Sequence, residues 1–574
     1  MTSPRPDPAH PRLARLRPSP GTGRAVLAGL LAAASGVAVG ELVGGIVTSA
    51  GSPVVAVGGE VIDRAPKPMK DFAIDTFGTN DKPALIIGTL VLLLLLGMAL
   101  GPLARRLPKM AAGIVAAVAL LGVLATRRQE AISLVLAVWP SLLGAMAAVG
   151  VIAVLCPPAL PPRAGVEATA GEAGAAPSTT DTGPILPGPG GGADDPDRAP
   201  AVTGVLVAGE PGVRPPDELP PRRRFLIGAG TTVVLAGAAA AAGRRLQGRS
   251  SAAADRAALT LPRPADPLAP VTRAVAPNPE GVAPFITPNR DFYRIDTALR
   301  IPQLTTDSYR LKVTGMVDDE LDITWEELVG RELQEYDITL TCISNQIGDK
   351  LVGNARWLGF PLRDLLDEAG VRAGADQIVG RSQDRYTGGF PLEAAYDRDC
   401  IVAVGMNGEP LPLSHGYPVR LVTPGIYGYL SAVKWLVEVE LTTFDAFDSY
   451  WVPRGYAEQA PIRTMSRIDT PRSLKTYPAG TLMIGGVAWA QTRGIEKVEL
   501  RIDGEEWIEV ELSDELNKDT WRQWTHRWDD APPGGHTLEV RATDGRGETQ
   551  PEERRAPLPS GATGWHKVRM TIGD

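Results

Sequence analysis

The chain has 574 residues, too many for one domain, and it is mildly acidic, with 58 Lys and Arg against 66 Asp and Glu. This charge balance gives no electrostatic support for a nucleic-acid role. Three cysteines exclude a disulfide scaffold and CxxC-type zinc, iron–sulfur or haem sites, and five histidines argue against a His-ligated metal enzyme.

Apolar runs of about bilayer-spanning length fill the first part of the chain, at 24–47, 83–101, 110–126 and 132–155. Buried globular helices are the alternative, but four such runs in succession favour an all-α transmembrane bundle over 24–156. Arginines in the tail 1–23 and basic residues in the second loop predict that both are cytoplasmic. Glu41, inside the first run, is either a functional intramembrane carboxylate or a residue near the interface.

Residues 157–221 are rich in Pro, Gly, Ala and Asp without apolar periodicity, which predicts a disordered cytoplasmic linker. Residues 222–245 begin with Arg222-Arg223-Arg224-Phe225-Leu226 and continue as an Ala/Gly-rich run. Two interpretations stay open for them: a fifth span with a basic flank, or an internal twin-arginine signal. Both place the C-terminal half outside the cytoplasm, and the second adds that it crosses already folded. Residues 246–285 are predicted to be a tether.

Strand and helix patterns alternate in the next segment, 286–450, which predicts an α+β domain. Residues 309–313 alternate and precede Thr314-Gly315, as a strand does. Thr324 to Glu327 has the pattern of a capping box that opens a short helix, and 362–369 is amphipathic. Two further strands are predicted at 419–422 and 433–437.

The last segment, 451–574, has an all-β pattern. Apolar and polar residues alternate over 497–502, which predicts a strand. Asp503-Gly504 predicts a hairpin turn, and 507–512 is predicted to be the partner strand. Residues 537–543 predict a further strand, and short strands with such turns indicate an Ig-like sandwich. The tryptophans of this segment are predicted to be core or interface residues rather than a binding platform: Trp521, Trp524 and Trp528.

Cys342 is a lone thiol in a polar turn after a predicted strand, in Ile338-Thr339-Leu340-Thr341-Cys342-Ile343-Ser344-Asn345. It is therefore a candidate metal ligand or nucleophile. A disulfide between Cys342 and Cys400 also stays open, because both are expected outside the cytoplasm.

Several ordered blocks around Cys342 resemble the molybdenum-binding core of the sulfite oxidase family: Thr341 to Asn345, Gly353 to Leu362, Tyr386 to Leu392, Met406 to Leu411, His415 to Gly425, Tyr427-Gly428 and Val433 to Trp435. Such a series is more specific than one short motif. The C-terminal stretch from Gly486 to Ile495, with Asp503-Gly504 and Trp507, resembles the dimerisation domain of the same family, which implies a homodimer as one arrangement.

The resemblance implies a molybdenum-molybdopterin cofactor with Cys342 as its one protein ligand, and a soft thiolate suits that metal. Arg420 would bind the cofactor phosphate through two parallel hydrogen bonds, and Lys434 would add a point charge. The alternative for both residues is a surface ion pair. Tyr386 matches a tyrosine that points at the metal, where it would donate a hydrogen bond; a packed aromatic is the alternative. The remaining implied cofactor contacts are Asn289, Tyr293, Asn345, Ser382 and His415.

Departures from the family pattern leave the substrate open. True sulfite oxidases carry an arginine shortly after Cys-x-x-Asn, whereas Asn345 is followed here by Gln346. The upstream segment Pro288-Asn289-Arg290 also lacks the family's histidine. The pocket is therefore predicted to be less cationic than one built for sulfite. The upstream pattern is closer to the exported bacterial branch that includes the catalytic subunit of periplasmic methionine sulfoxide reductase. The block Cys342-Ile343-Ser344-Asn345 and the C-terminal domain are closer to sulfite oxidase, so both substrates stay open.

These patterns together predict a multi-pass cell-membrane protein with a transmembrane bundle, an extracytoplasmic molybdopterin domain and an all-β Ig-like domain. It would catalyse oxygen-atom transfer, acting on sulfite or on a sulfur or nitrogen oxide. It would contact membrane lipid and exchange electrons with a separate electron-transfer protein or a membrane carrier. The rival is a non-catalytic tethered binding or assembly protein that uses the Ig-like domain. The joint presence of Cys342, Arg420 and Lys434 argues against that rival.

Overall fold

The computed structural model describes residues 22–47, 52–66, 69, 76–77, 81–130, 134–156, 221–249 and 252–573. The predicted linker, apart from Pro221, lies outside these residues, as does the tail 1–21. The described N-terminal helices are α1 (Thr22–Val47), α2 (Pro53–Arg64), α3 (Asp81–Arg106), α4 (Pro108–Glu130), α5 (Leu134–Leu155) and α6 (Pro221–Arg249).

Five of the described helices, namely α1 and α3 to α6, are long and apolar enough to cross a membrane. They coincide with the five apolar runs of the sequence. Helix α1 packs against α3, α5 and α6. Glycines permit this close packing: a Cβ on Gly36 would lie 2.9 Å from the carbonyl oxygen of Gly144, and Gly97 faces Gly29 in the same way. The N-terminal helices therefore form a bundle around α1.

Helix α2 was not anticipated from the sequence, because its apolar run is short. Its start has two local causes. The Ser52 side chain accepts a hydrogen bond from the backbone N–H of Val55 at 3.2 Å, and Pro53 occupies the first helical position.

The following domain contains two mixed sheets. Its strands are β1 (Arg310–Gly315), β2 (Leu321–Thr324), β3 (Gln334–Thr341), β4 (Val352–Pro361), β5 (Gln377–Ser382), β6 (Thr387–Pro391), β7 (Ile401–Met406), β8 (Glu409–Pro410), β9 (Arg420–Val422) and β10 (Leu436–Thr442). One sheet has the order β2-β1-β10-β5-β6, and the other has the order β3-β4-β7-β8 with β9 paired to β7. The short helices are α7 (Ala252–Ala258), α8 (Trp325–Val329), α9 (Leu362–Ala369), α10 (Ala394–Asp397) and α11 (Gly428–Ser431).

Local signals in this domain were predicted correctly where short-range chemistry decides the structure. The Thr324 side chain accepts from the N–H of Glu327, and the Glu327 carboxylate accepts from the N–H of Thr324, which is the predicted capping box. The strand predicted at 433–437 starts only at Leu436. Trp435 has a φ of 51° and its indole donates to the carbonyl of Leu413 at 2.9 Å, so tertiary packing interrupts the strand there.

Residues 259–285, here called the strap, pack along the folded domains instead of forming the free tether that the composition predicted. Arg356 donates to the carbonyls of Leu268 and Ala269, each at 3.2 Å. Further along, the N–H of Asn278 donates to Gln523 at 3.0 Å. The Pro/Ala-rich composition gave no sign of these contacts, because they use backbone groups of the strap and side chains from distant segments.

The C-terminal domain is all-β, with strands β11 (Met465–Thr470), β12 (Thr476–Tyr477), β13 (Gly480–Trp489), β14 (Ile495–Ile502), β15 (Ile508–Glu509), β16 (Glu511–Leu512), β17 (Arg522–Ala531), β18 (Gly534–Asp544) and β19 (His566–Ile572). They form two sheets, β11-β13-β17-β16 and β12-β19-β18-β14-β15, which share one apolar core. Asp503 and Gly504 both have positive φ, as the predicted hairpin turn requires. Trp521 and Trp524 are buried, as expected of core residues.

Candidate functional site

A cavity of about 100 Å³ lies where the end of β3, the turn between β5 and β6, and the segments 292–297 and 415–435 meet. Seven of the nine predicted site residues line it: Tyr293, Cys342, Ser382, Tyr386, His415, Arg420 and Lys434. Asn289 and Asn345 do not. The fold therefore gathers most of the residues that the resemblance singled out, although they are spread over more than a hundred positions of the chain.

Cys342 sits directly after β3, at the start of the loop 342–351. The loop is closed by its own backbone, because the N–H of Cys342 donates to the carbonyl of Leu351 at 2.9 Å. Asn345 supports this closure: its side-chain oxygen accepts from the N–H of Leu351 at 2.9 Å. Asn345 thus holds the loop that carries the thiol, and it does not face the cavity.

The Cys342 thiol is buried and free. Burial raises its pKa, and hydrogen bonds from Ser344 offset part of that rise. All three cysteines are free, so the disulfide between Cys342 and Cys400 does not form. The Cys400 sulfur instead lies 3.0 Å from the hydroxyl of Thr423. A soft cation at the cavity would displace the Cys342 proton and use the thiolate as its ligand.

The C-terminal domain forms hydrogen bonds with the end of β3, the strand that precedes Cys342. The side-chain amide of Gln491 donates to the carbonyl of Thr339 at 2.8 Å and to the hydroxyl of Thr341 at 3.2 Å. The N–H of Trp521 donates to the Thr339 hydroxyl at 2.9 Å. These groups are buried, so their hydrogen bonds fix the end of β3 firmly. The sequence predicts that the C-terminal domain packs on the catalytic domain, but it does not predict these hydrogen bonds.

Arg420 places a buried cation beside the cavity. Its guanidinium donates to the carbonyls of Leu421, His415 and Ala432 at 3.0–3.3 Å and lies 5.0 Å from the Trp357 ring. Among the described residues, no carboxylate compensates this charge, and burial lowers the Arg420 pKa to about 10. A buried cation held only by neutral dipoles is costly, and an anion in the cavity would offset that cost.

Lys434 is the second cation of the cavity. Its ammonium donates to the carbonyl of Ile295 at 3.0 Å and to the carboxylate of Asp296 at 3.1 Å. Burial lowers the Lys434 pKa to about 8, although Asp296 acts in the opposite direction. Burial alone would raise the pKa of Asp296, but Lys434 and Lys82 outweigh it and hold that pKa well below its ordinary value.

His415 is neutral and ordered. Burial and the neighbouring Arg420 lower its pKa to about 4. Its Nε2 lies 3.1 Å from the backbone oxygen of Asn289, so this nitrogen carries the proton and donates. The Asn289 side chain turns away from the cavity and donates to Glu409 at 2.6 Å. Asn289 therefore orients His415 through its backbone instead of lining the site.

Tyr386 lines the cavity, but its hydroxyl donates to the backbone oxygen of Tyr429. Burial raises its pKa well above the ordinary value, so the phenol stays protonated at neutral pH. The predicted hydrogen bond to a group at the metal position would require that hydroxyl to exchange partners. Tyr386 also contacts Tyr450, with ring centroids 5.5 Å apart.

Two carboxylates of the cavity were missed from the sequence. Asp296 binds Lys434, as described above. Asp384, in the turn between β5 and β6, accepts from the N–H of Tyr386 at 3.2 Å, and burial raises its pKa. A carboxyl with a raised pKa in a cleft is a candidate acid or base. Its one sequence signal was its position two residues before Tyr386.

The donor set fits a molybdopterin-type group better than a protein-held metal ion. Among the described residues, no group of three or more His, Cys, Asp or Glu side chains could hold a metal. A metal here would take one thiolate from the protein and its other ligands from an organic cofactor. The uncompensated Arg420 cation next to the cavity matches the anionic charge that a phosphate-bearing cofactor brings.

Comparison with known proteins identifies the same region. Residues 298–451 match the family described as oxidoreductase molybdopterin binding domain. Mitochondrial sulfite oxidase of Rattus norvegicus is 30% identical over 288 residues, which are 42% of this chain and 52% of that protein. The Homo sapiens enzyme is 28% identical over 344 residues, or 50% and 62% of the two chains. The chain thus spans less than two thirds of these relatives.

Two further similarities have narrower coverage or weaker agreement. Nitrate reductase [NADH] of Spinacia oleracea is 31% identical over 179 residues, which are 26% of this chain and 19% of that protein. The crystal structure of the sulfane dehydrogenase SoxCD from Paracoccus pantotrophus aligns over 50% of this chain and 83% of that chain, with a TM-score of 0.43 and 23% identity.

Proposed function

Since the chain carries a molybdopterin-binding domain of the sulfite oxidase family, we propose that it is a membrane-anchored molybdopterin-dependent oxidoreductase that transfers an oxygen atom between water and a small substrate. The observation that carries the proposal is the cavity itself, which combines a buried thiol with a buried guanidinium that has no carboxylate partner among the described residues. The substrate is sulfite or a sulfur or nitrogen oxide. Electrons are exchanged with a separate protein or a membrane carrier.

When bound, the molybdenum centre supplies two-electron oxygen-atom transfer. The residues of this chain bind the cofactor and hold protons. Cys342 binds the metal through its thiolate, on a loop that the C-terminal domain holds in place. Arg420 and Lys434 bind the anionic part of the cofactor. Tyr386 remains protonated and Asp384 is able to hold or release a proton beside the substrate position.

The cations that line the cavity are Arg420 and Lys434, and His415 is neutral. Because the carboxylates Asp296 and Asp384 also line the cavity, its net charge is low, which favours neutral S- or N-oxides over a divalent anion once a cofactor phosphate occupies the cations. It also agrees with the absence of an arginine directly after Asn345.

Contacts between the bundle and the catalytic domain support the membrane anchor. Lys82, at the start of α3, donates to the Asp296 carboxylate and to the carbonyls of Asp296 and Ala298 at 2.7 and 2.8 Å. Arg300 lies 3.5 Å from the carboxylate of Glu41 in α1. The catalytic domain is thus proposed to sit on the extracytoplasmic end of the bundle, with the Ig-like domain as a dimerisation-type module.

Metal and pterin analysis of the purified full chain tests the proposal. We expect about one molybdenum and one pterin per chain when the host cells make the cofactor, and turnover of sulfite or of an S- or N-oxide in a substrate screen. Protein free of molybdenum from such cells would overturn the enzymatic function and favour the tethered binding protein.

Export is tested by replacing the arginine pair. Arg222→Lys together with Arg223→Lys should leave the C-terminal half inside the cell, because the twin-arginine route requires that pair. The measurement is protease accessibility in intact cells, with Arg244→Lys and Arg245→Lys as the matched control beyond the apolar run. Unchanged external digestion of the double variant would contradict the export signal and leave the fifth-span interpretation.

A further inference from the structure

A second cavity, of about 290 Å³, lies inside the helical bundle. Helices α1 to α5 line it, mostly with Gly, Ala, Val and Leu side chains. Along α1 it extends from Gly29 to Glu41, which corresponds to about 18 Å of helix. The catalytic cavity does not include any of these residues. This second space is therefore a separate, long and apolar site within the proposed membrane region.

Polar groups cluster at one end of this bundle cavity. The residues Glu41, Thr89 and Ser141 all line it, and each lies in the half of its helix that is nearer to the catalytic domain. Ser141 is 9% exposed and its hydroxyl has no hydrogen-bond partner. The Ser141 hydroxyl packs closely against Gly122 of α4, where a Cβ would lie only 2.6 Å from the Ser141 oxygen. A buried, unpaired donor that lines a cavity indicates a ligand that accepts a hydrogen bond.

The charged residues that line the bundle cavity indicate whether it favours a phospholipid or a neutral lipid-soluble ligand. Glu41 is the one charged residue among the lining residues, and it accepts a hydrogen bond from Ser52 and contacts Arg300. Within the part of the bundle that the structure describes, no Lys or Arg lines the cavity. A phospholipid phosphate would therefore meet the Glu41 carboxylate in the cavity wall, and Arg300 already pairs with that carboxylate, whereas a neutral ring with carbonyl acceptors would find the Ser141 hydroxyl.

The polar end of the bundle cavity is linked to the cofactor cavity by one short segment. Asp296 lines the cofactor cavity and binds Lys82 of α3. Four residues later, Arg300 contacts Glu41 of the bundle cavity. Leu299 packs on α2, where a Cβ on Gly58 would lie 3.1 Å from its side chain. Residues 296–300 thus connect the two sites.

We propose that the bundle cavity binds an isoprenoid quinone, with its ring at the Glu41–Ser141 end and its tail along α1. This inference rests on the proposed function and identifies the electron carrier for it. Oxidation of a substrate with water releases two electrons and two protons, and a quinone that takes up both becomes the quinol. In the opposite direction the quinol supplies the two electrons and two protons that reduce an S- or N-oxide and release water.

Binding is tested on the full chain in lipid nanodiscs, with ubiquinone and menaquinone analogues that carry a ten-carbon tail. Ala119→Phe fills the cavity from α4, and Ala117→Phe places the same side chain on the exposed side of that helix. The parent and Ala117→Phe should retain about one quinone per chain, and Ala119→Phe should bind at least tenfold more weakly. Ser141→Ala should weaken binding roughly 3- to 10-fold, the effect of one lost hydrogen bond.

The quinone site would be overturned if the parent retained no quinone, or retained phospholipid in its place. Equal binding by Ala119→Phe and Ala117→Phe would overturn it as well. Molybdenum content and turnover with a soluble dye are measured on the same samples. Molybdenum-loaded protein that turns over with dye but binds no quinone refutes this inference alone, whereas quinone binding by molybdenum-free protein refutes the proposed function alone.

Discussion

Replacement of Cys342 by serine should lower turnover more than 100-fold. Loss of residues that merely support a metal ligand costs about 10- to 100-fold, so loss of the proposed single protein ligand should exceed that range. A serine hydroxyl is a hard, weakly acidic donor and does not replace a soft thiolate. The loop 342–351 should persist in the variant, because it is closed by backbone bonds and by Asn345. Turnover and the thiolate-to-metal absorption band are the measurements.

Cys400 offers a matched control for this experiment. It is also a buried, free cysteine of the same domain, but it does not line the cavity. In Cys400→Ser the new hydroxyl can keep the contact with Thr423. We expect this variant to retain molybdenum, the absorption band and nearly full turnover. Equal turnover in Cys342→Ser and the parent would refute the assignment of Cys342 as the ligand.

Arg420→Gln is expected to weaken cofactor binding by roughly 10- to 150-fold. A hydrogen bond to a charged group contributes about 1.5–3 kcal/mol, and every 1.4 kcal/mol changes an equilibrium tenfold. Arg420 is the buried cation of the cavity without a carboxylate partner among the described residues, so an anionic cofactor should depend on it strongly. Pterin released from the purified protein, measured by fluorescence after oxidation, gives the cofactor content.

Folding must be separated from binding at this position, since the guanidinium also satisfies three backbone carbonyls. Arg420→Lys keeps the charge but lacks the planar fork, and should show an intermediate pterin content with a thermal midpoint close to the parent's. Arg381→Gln is the control, because Arg381 pairs with Glu440 and does not line the cavity. If Arg420→Lys and Arg420→Gln both fold and both keep the full pterin content, Arg420 does not bind the cofactor.

Much of the local structure could be predicted from the sequence because short-range chemistry decides it. The long apolar runs determine five helices, the Thr324–Glu327 capping box determines the start of α8, and Asp503-Gly504 determines a hairpin turn. The family resemblance, which the comparisons confirm, also selected seven residues that line one cavity. Ordered motifs can predict such a cluster because each residue of a cofactor site must have a particular chemical type.

The misses concern contacts between segments that are distant in the chain. The composition of the strap predicts a tether, because nothing in its Pro/Ala-rich sequence shows that Arg356 donates hydrogen bonds to its carbonyls. Asn289 and Asn345 remain predicted cofactor contacts, but neither lines the cavity: the Asn289 carbonyl contacts His415, and the Asn345 side chain closes the Cys342 loop. Asp296 and Asp384 gave no motif signal, since their chemistry arises from burial and from neighbours such as Lys434.

The sequence by itself determined the apolar helices, the all-β pattern of the C-terminal segment, the position of the Cys342 thiol and the molybdopterin type of cofactor. Apolar length, strand alternation and residue identity are encoded locally. Only the tertiary structure decided how the thiol is held, which cation lacks a counter-ion, and that residues 296–300 connect the cofactor cavity to a separate cavity in the bundle. These properties depend on which groups lose water together when the chain folds. Burial and partnership are set by three-dimensional packing.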